Sequence, residues 1–340
     1  MRRILWLALG LALVSVPETA QNQSAKTFDM YVVDTEGGHS VLYVAPTGES
    51  MLEDTGNPGG RDTDRIMDVI NAAGVKQIDH LILTHYHVDH VGGLSELVKR
   101  IPIKQFIDHG ATVEPREQVP DFQKTYAAMW ATTKHTVVKP GDKIPLHDVQ
   151  VTVVTSNGEV IAKPLAGGGP NPLCKDAQTK PPDTTENQRS AGFLLTYGRF
   201  KFLDLGDLTW DKEMELACPV EKLGTVTLLQ ATHHGFFGDY SGAPALYWAI
   251  KPEVVVVNNG ARKGLATNAY NTIAGIPGIE GIWQMHRSVA NDEAHNTVEP
   301  MIANTDPASD GHWVKASVEK DGKFTITNSR NDYSKTYTTR

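Results

Sequence analysis

The chain has 340 residues, 40% of them hydrophobic and 21% charged, a globular composition that is neither disordered nor collagen-like. Its formal net charge of −8 argues against a general polyanion binder, although local charge and bound metal can outweigh that total in a nuclease. The one long apolar run stands at the very start, which excludes a multi-span membrane protein.

Met1-Arg2-Arg3 forms a basic segment, and Ile4 to Val16 an apolar stretch too short for a comfortable membrane span. Pro17, Thr19 and Ala20 follow, so residues 1–20 are expected to be a signal peptide cut after Ala20. An uncleaved anchor is the alternative. The expected location is secreted or periplasmic, with no stable membrane partner after cleavage. In an oxidising compartment Cys174 and Cys218 are expected to pair, the alternative being two separate thiols. Neither lies in a C-x-x-C, so a zinc–thiolate site is not expected.

Residues 27–335 read as a single domain. Strands are expected at Thr27–Val33, Ser40–Ala45 and Met51–Glu53, with turns at Asp34-Thr35-Glu36-Gly37-Gly38 and Pro46-Thr47-Gly48. Ile66, Val69, Ile70 and Ala73 have helical spacing within Asp62–Ala73, and Gly74 stops that helix. Asp79–Thr84 and Lys104–Ile107 read as strands, Gly92–Arg100 and Phe122–Thr132 as helices, and Val149–Thr155 as an alternating strand. The Gly/Pro-rich stretch 157–188 is expected to be a long surface insertion. Strands Ala191–Tyr197 and Phe200–Leu205 follow, then helix Trp210–Ala217, strand Val226–Gln230, helix Ala243–Ile250 and strand Glu253–Val257. Further strands are expected at Gly281–Met285, Trp313–Val318 and Lys323–Thr327. Hairpins first and βα alternation later suggest an α/β protein with two sheets and outer helices.

Thr84-His85-Tyr86-His87-Val88-Asp89-His90 carries the chemistry, because imidazole nitrogen and carboxylate oxygen are natural zinc ligands. On an extended segment His85 and His87 face the same side and can grip one ion. The turn into the next helix swings Asp89 and His90 towards a second.

This His-x-His-x-Asp-His after a buried strand resembles the signature of the metallo-β-lactamase superfamily, over roughly residues 28–290. Glu53-Asp54-Thr55-Gly56 resembles its early Asp-x-Gly, Leu205-Gly206-Asp207-Leu208 its Gly-Asp, and Thr232-His233-His234-Gly235 its late His. Asn187-Gln188-Arg189-Ser190 and His233-His234-Gly235 are similar to the ComEC-type competence nuclease domain. Asp34-Thr35-Glu36-Gly37-Gly38-His39 stands where that subgroup has Asp-Val-Gly-Gln-Gly-Asp, with His39 replacing the final Asp. The resemblance implies an αββα sandwich of two mixed sheets, with one or two zinc ions at one edge. It assigns His85 and His87 to a first position, with Asn187 or water where most members have a third His. Asp89, His90 and His233 fall to a second, with Asp207 shared between the two. Because an amide oxygen is a poorer zinc ligand than imidazole, manganese is the alternative ion.

The implied activity is hydrolysis by water activated on metal, with Asp89 orienting the water or taking its proton. His234 is read as a ligand, an acid beside the ligands or a packed core residue, and Asp54 as a group holding a ligand His. His109 and His286 at strand ends, and Arg262, Lys263 and Arg287, are either substrate contacts or structural and solvated groups. His39, His80, His135, His147, His295 and His312 are expected to be structural. The expected substrate is a phosphodiester or another small molecule, nucleic acid not being favoured by the net charge. The alternatives are lactonase or β-lactamase chemistry, or a metal-holding binder without turnover.

Overall fold

Alternation along the strands decides which layer each side chain enters. The computed structural model describes residues 27–235, 240–308 and 311–340; the signal-peptide expectation for residues 1–20 lies outside them. β1 (Phe28–Val32), β2 (Val41–Val44) and β3 (Ser50–Glu53) form an antiparallel meander. The chain then runs through α1 (Arg61–Ala72), β4 (His80–Ile82), α2 (Val88–Val91), α3 (Leu94–Leu97), β5 (Gln105–Asp108), α4 (Phe122–Trp130) and β6 (Lys134–Val137). β3, β4, β5 and β6 are parallel neighbours. β7 (Lys143–Leu146) and β8 (Val149–Val153) open a second sheet, which β12 (Phe193–Tyr197) and β13 (Phe200–Asp204) continue.

Short ladders join β9 (Thr155–Ser156) to β10 (Glu159–Val160), and β11 (Gly169–Pro170) to β14 (Val220–Glu221). After β13, α5 (Trp210–Ala217), β15 (Leu228–Gln230), α6 (Pro244–Ile250), β16 (Val254–Val257), α7 (Thr267–Ala274), β17 (Gly281–His286) and β18 (Ile302–Asn304) follow. β13, β15, β16, β17 and β18 are parallel. β19 (Val314–Val318), β20 (Lys323–Asn328) and β21 (Ser334–Thr338) return to the first sheet beside β1. The sheets run β21-β20-β19-β1-β2-β3-β4-β5-β6 and β18-β17-β16-β15-β13-β12-β8-β7.

Phe28, Met30, Val41 and Tyr43 of one sheet meet Phe193, Phe200, Phe202, Val254, Val256 and Trp283 of the other in one buried cluster. The residues between them point the other way. Tyr31 and Leu42 pack with Ile66, Leu94, Leu97 and Tyr126 of α1, α3 and α4. Val255 and Val257 pack with Leu216, Leu246 and Ile273 of α5, α6 and α7. The layers are therefore α-β-β-α.

One local expectation is corrected. The helix read as Gly92–Arg100 is split into α2 and α3, and it begins earlier, so Asp89 and His90 lie on α2. At the break Gly93 N donates to the Gly56 carbonyl at 3.2 Å, outside the helix, and close approach keeps both positions glycine: a Cβ on Gly93 would stand 2.1 Å from the Thr55 carbonyl oxygen, and one on Gly92 would meet Pro58 at 2.4 Å. The 157–188 stretch, most of it at least partly exposed, is also pinned to the body. Cys174 and Cys218 are disulfide-bonded, and Asn171 Nδ2 donates to the carbonyls of Ala217 and Ala245 at 3.0 and 2.9 Å.

Candidate metal centre

The site lies where strands of both sheets end. β4 runs into His85 and His87, β13 into Asp207, and β15 into His233 and His234. Asp207 Oδ2 is the meeting point. It lies 3.3 Å from His90 Nε2, 3.4 Å from His234 Nε2, 3.4 Å from His233 Nε2 and 3.9 Å from His85 Nε2. Asp89 Oδ2 is 3.2 Å from His234 Nε2 and 3.7 Å from His90 Nε2. Donor atoms sharing one tetrahedral ion at zinc–ligand lengths sit roughly 3.4 Å apart, so this spacing fits ligands around a common centre. Nε2 of His85, His90 and His234 is buried with no hydrogen-bond partner, which is costly unless another group occupies the space between. Asp89, His90, Asp207 and His234 form the tightest group.

The other ring nitrogen of each histidine has its own partner, and this fixes which nitrogen faces inward. Asp54 accepts from His90 Nδ1 at 2.7 Å while it also accepts Thr84 N and Thr84 Oγ1 at 2.8 and 2.6 Å. His85 Nδ1 lies 3.2 Å from Thr84 Oγ1, His233 Nδ1 3.3 Å from Ser241 Oγ, and His234 Nδ1 3.0 Å from the Asn258 amide. His87 is turned the other way: its Nε2 lies 3.3 Å from Glu114 Oε1, leaving Nδ1 for the site. Asn187 lies in the turn before β12, with its Oδ1 buried and without a hydrogen-bond partner. Its carbonyl accepts from Ser190 N, and Ser190 Oγ accepts from Asp207 N at 3.2 Å.

Backbone geometry serves the rings. His233 and His234 both have left-handed φ, 52° and 55°, which is rare outside glycine and common at functional turns. That turn brings two consecutive imidazoles to one carboxylate oxygen, which neither a strand nor a helix does. His234 was read as ligand, acid or core residue; it stands inside the tight group, and His233 lies just outside it.

Electrostatics divide the group. Burial opposes ionisation of Asp207, but His234, His233 and His90 outweigh it and hold the carboxyl well below its usual range. Asp89 is likewise held low, chiefly by His90 and His234 against its burial. Burial and neighbouring His90 push His85 well down, and burial lowers His233. His90 is pushed well up despite burial, because Asp207, Asp54 and Asp89 surround it. These directions favour the ionised form of Asp89 and Asp207 and the neutral form of His85 and His233, as metal binding needs, whereas His90 would release its proton on binding an ion.

Beneath the centre is a second polar group. His39 Nε2 lies 3.5 Å from Glu53 and 3.4 Å from Asp204, and Tyr43 donates to Glu53 at 2.7 Å. Burial pushes Glu53 and Asp204 well up, and nearby carboxylates add to this. The Asn258 amide lies 2.7 Å from His39 Nδ1, so it joins this group to His234. His109 and His286 are fully buried, held by Glu186 at 2.8 Å and Asp34 at 2.7 Å, and neither presents a ring to solvent. Sequence reasoning missed Glu114 and Asn258. Glu114 sits in a polar loop with no motif, whereas Asn258 ends the apolar run of β16, a position that lines sites in α/β sheets.

The family model of the metallo-beta-lactamase superfamily matches residues 34–173. That span carries Asp54 and the whole His85–His90 motif, on a four-layer fold with the metal group at the sheet ends. Over that span the chain is similar to the metallo-β-lactamase superfamily. Among its relatives is ComE operon protein 3 of Bacillus subtilis (strain 168), 25% identical over 196 residues, which is 57% of this chain and 22% of that protein. Competence protein ComA of Neisseria gonorrhoeae is 40% identical over 88 residues, 26% of this chain and 11% of that one. The chain spans a quarter or less of the length of the curated relatives it matches. A crystal structure of the metallo-beta-lactamase fold protein YhfI from Bacillus subtilis aligns at TM-score 0.49 and 14% identity, covering 75% of this chain and 96% of that one. The match over residues 34–173 and the group around Asp207 together make this a candidate divalent-metal centre. Among the described residues, no helix is long and apolar enough to cross a membrane.

Proposed function

We propose that the protein is an exported metal-dependent hydrolase of phosphodiesters. The observation that carries this reading is the sharing of Asp207 Oδ2 among four imidazoles, which leaves room for two ions on one carboxylate. Asp89, His90 and His234 hold the second position with Asp207. His85, His87 through Nδ1, and His233 hold the first, so His233 supplies the third imidazole that Asn187 does not. His233 and His234 thereby change the roles expected of them: each is a ligand, one per position. Zinc suits so imidazole-rich a set, with manganese as the alternative if Asn187 Oδ1 adds an oxygen donor.

Divalent ions held by these residues would supply an acidified water and, if paired, charge stabilisation for the oxygens of the reacting phosphoryl group. The protein does the rest. Asp89, kept ionised, orients the attacking water and receives its proton. Asp54, Glu114, Ser241 and Asn258 keep the rings from turning. Export is supported by the Cys174–Cys218 disulfide, since such bonds persist in oxidising compartments. The reading places the protein in the periplasm or outside the cell.

The test is turnover by the zinc-loaded and the manganese-loaded protein. Bis(p-nitrophenyl) phosphate should be hydrolysed, and nitrocefin and a simple lactone should not. Turnover of nitrocefin or the lactone without the diester would replace this reading by carbon–heteroatom hydrolysis. Bound metal with no turnover of any of the three would make the protein a binder.

A further inference from the structure

Lys263 stands at the rim of the second position. Its Nζ contacts Asp89 Oδ2, the carboxylate that also faces His234 and His90. The lysine is 44% exposed and Asp89 13%, so the ammonium lies on the solvent side of the carboxylate. Among the described residues, no other lysine or arginine pairs with Asp89 or Asp207. Basic neighbours are committed elsewhere: Arg61 to Glu36 and Asp62, Arg65 to Asp34 and Glu36.

The main chain under Lys263 is fixed by close packing. Gly260 N donates to the Lys263 carbonyl at 2.8 Å, closing a tight turn, and Leu265 N donates to the His234 carbonyl at 3.0 Å. A Cβ on Gly264 would meet the His234 carbonyl oxygen at 2.1 Å, and one on Gly260 the Glu36 carbonyl oxygen at 2.4 Å. A Cβ on Gly37 would meet Lys263 Cβ at 2.9 Å. The root of the side chain is thus wedged between the 34–38 turn and the His233–His234 turn, while its amine stays free to reach. Imidazoles already surround Asp89, and a bound ion would take up its charge. The ammonium then has no structural task and faces the mouth of the site. A compact ammonium with three donors suits a phosphoryl oxygen.

We propose that Lys263 is the substrate-anion contact of this centre, its ammonium holding a non-bridging oxygen of a small phosphoester beside Asp89. A nucleic-acid strand needs many cations, and one lysine on a chain of net charge −8 favours a small ester instead. The substrate class rests on the phosphodiester reading above, but the anion contact is measurable without turnover.

The test titrates inorganic phosphate into the zinc-loaded full chain by calorimetry, comparing wild type, Lys263→Met and Lys263→Arg. Lys263→Met should bind phosphate about tenfold more weakly or worse, and Lys263→Arg within about threefold of wild type, with zinc content and Tm unchanged in both. Phosphate affinity within about twofold of wild type in Lys263→Met overturns the proposal, as does a wild type that binds no phosphate. Zinc loss in Lys263→Met also overturns it, because the lysine would then act through the metal set. A wild type that binds phosphate through Lys263 but cleaves no diester refutes the phosphodiesterase reading and leaves the anion contact standing.

Discussion

Asp54 never faces the space between the imidazoles, yet the centre depends on it. Its left-handed backbone, φ 51°, places a fully buried carboxylate against His90 Nδ1 and both donors of Thr84. Removing such a partner costs about 10–100-fold in metal affinity. Asp54→Asn keeps the shape and removes the charge, so its zinc affinity, measured by chelator competition, should fall within that range while the protein stays folded. Glu114→Gln acts on His87 in the same way. Glu114 is 23% exposed and water can replace it, so its loss should fall near the lower end, about tenfold. Equal zinc affinity in wild type and Asp54→Asn would mean that His90 is not a ligand.

At the scale of elements, Glu213 of α5 ties that helix to the start of α6. Its Oε2 accepts from Gly242 N at 2.7 Å and Ala243 N at 2.8 Å, wholly out of solvent. Burial pushes the carboxyl up to about 8, against 4.5 for the free side chain. Between those values the folded state binds a proton that the unfolded state has lost. Stability therefore falls as pH rises from about 4.5 to about 8, and the loss is complete above that. Glu213→Gln can still accept from both amides but does not ionise. Denaturant midpoints across this window should fall less steeply for Glu213→Gln, which should be the more stable protein at pH 9. Parallel profiles would show that Glu213 does not ionise on this scale.

The same scale shows what the sequence made legible. Helix α5 runs over the residues expected of it, and most apolar strands match to within a residue or two, because their alternation is strong. The elements not anticipated are polar or at the margins. β6 (Lys134–Val137) and β21 (Ser334–Thr338) are the edge strands of their sheet, where only one neighbour imposes a pattern. β7 (Lys143–Leu146) carries Pro145, which argues against a strand unless the strand is an edge, and this one is. Helix α7 (Thr267–Ala274) buries only Ala269 and Ile273, too few to show a period. At the site, the clustering of the motif residues was legible, and so was the contact of Asp54 with a motif histidine. The turn that brings both His233 and His234 to Asp207 was not, because it depends on two left-handed residues that spacing does not reveal. His39 was read as structural, and it is buried between Glu53 and Asp204, but its link to His234 passes through Asn258, 219 residues further along the chain.

For the whole molecule, the 157–188 stretch is tied down by the disulfide, the Asn171 amide and the β11–β14 ladder. The Cys174–Cys218 disulfide closes a loop with a sequence separation of 44 and anchors the 157–188 stretch to the end of α5. In the chain-entropy account such a cross-link is worth about 4 kcal/mol. Cys174→Ser with Cys218→Ser should lower the stability measured by urea unfolding by an amount of that order. Zinc content should be unchanged, because the bond lies away from Asp207. An unchanged urea midpoint would mean that Asn171 and the β11–β14 ladder suffice to pin the insertion.

The central claim is that one carboxylate, Asp207, organises two metal positions. Metal per chain, measured by elemental mass spectrometry on protein purified without added metal, tests it most directly. Two equivalents in the wild type, lost together in Asp207→Ala, is the predicted result. One equivalent or none in the wild type, persisting after loading with zinc and then manganese, would contradict it.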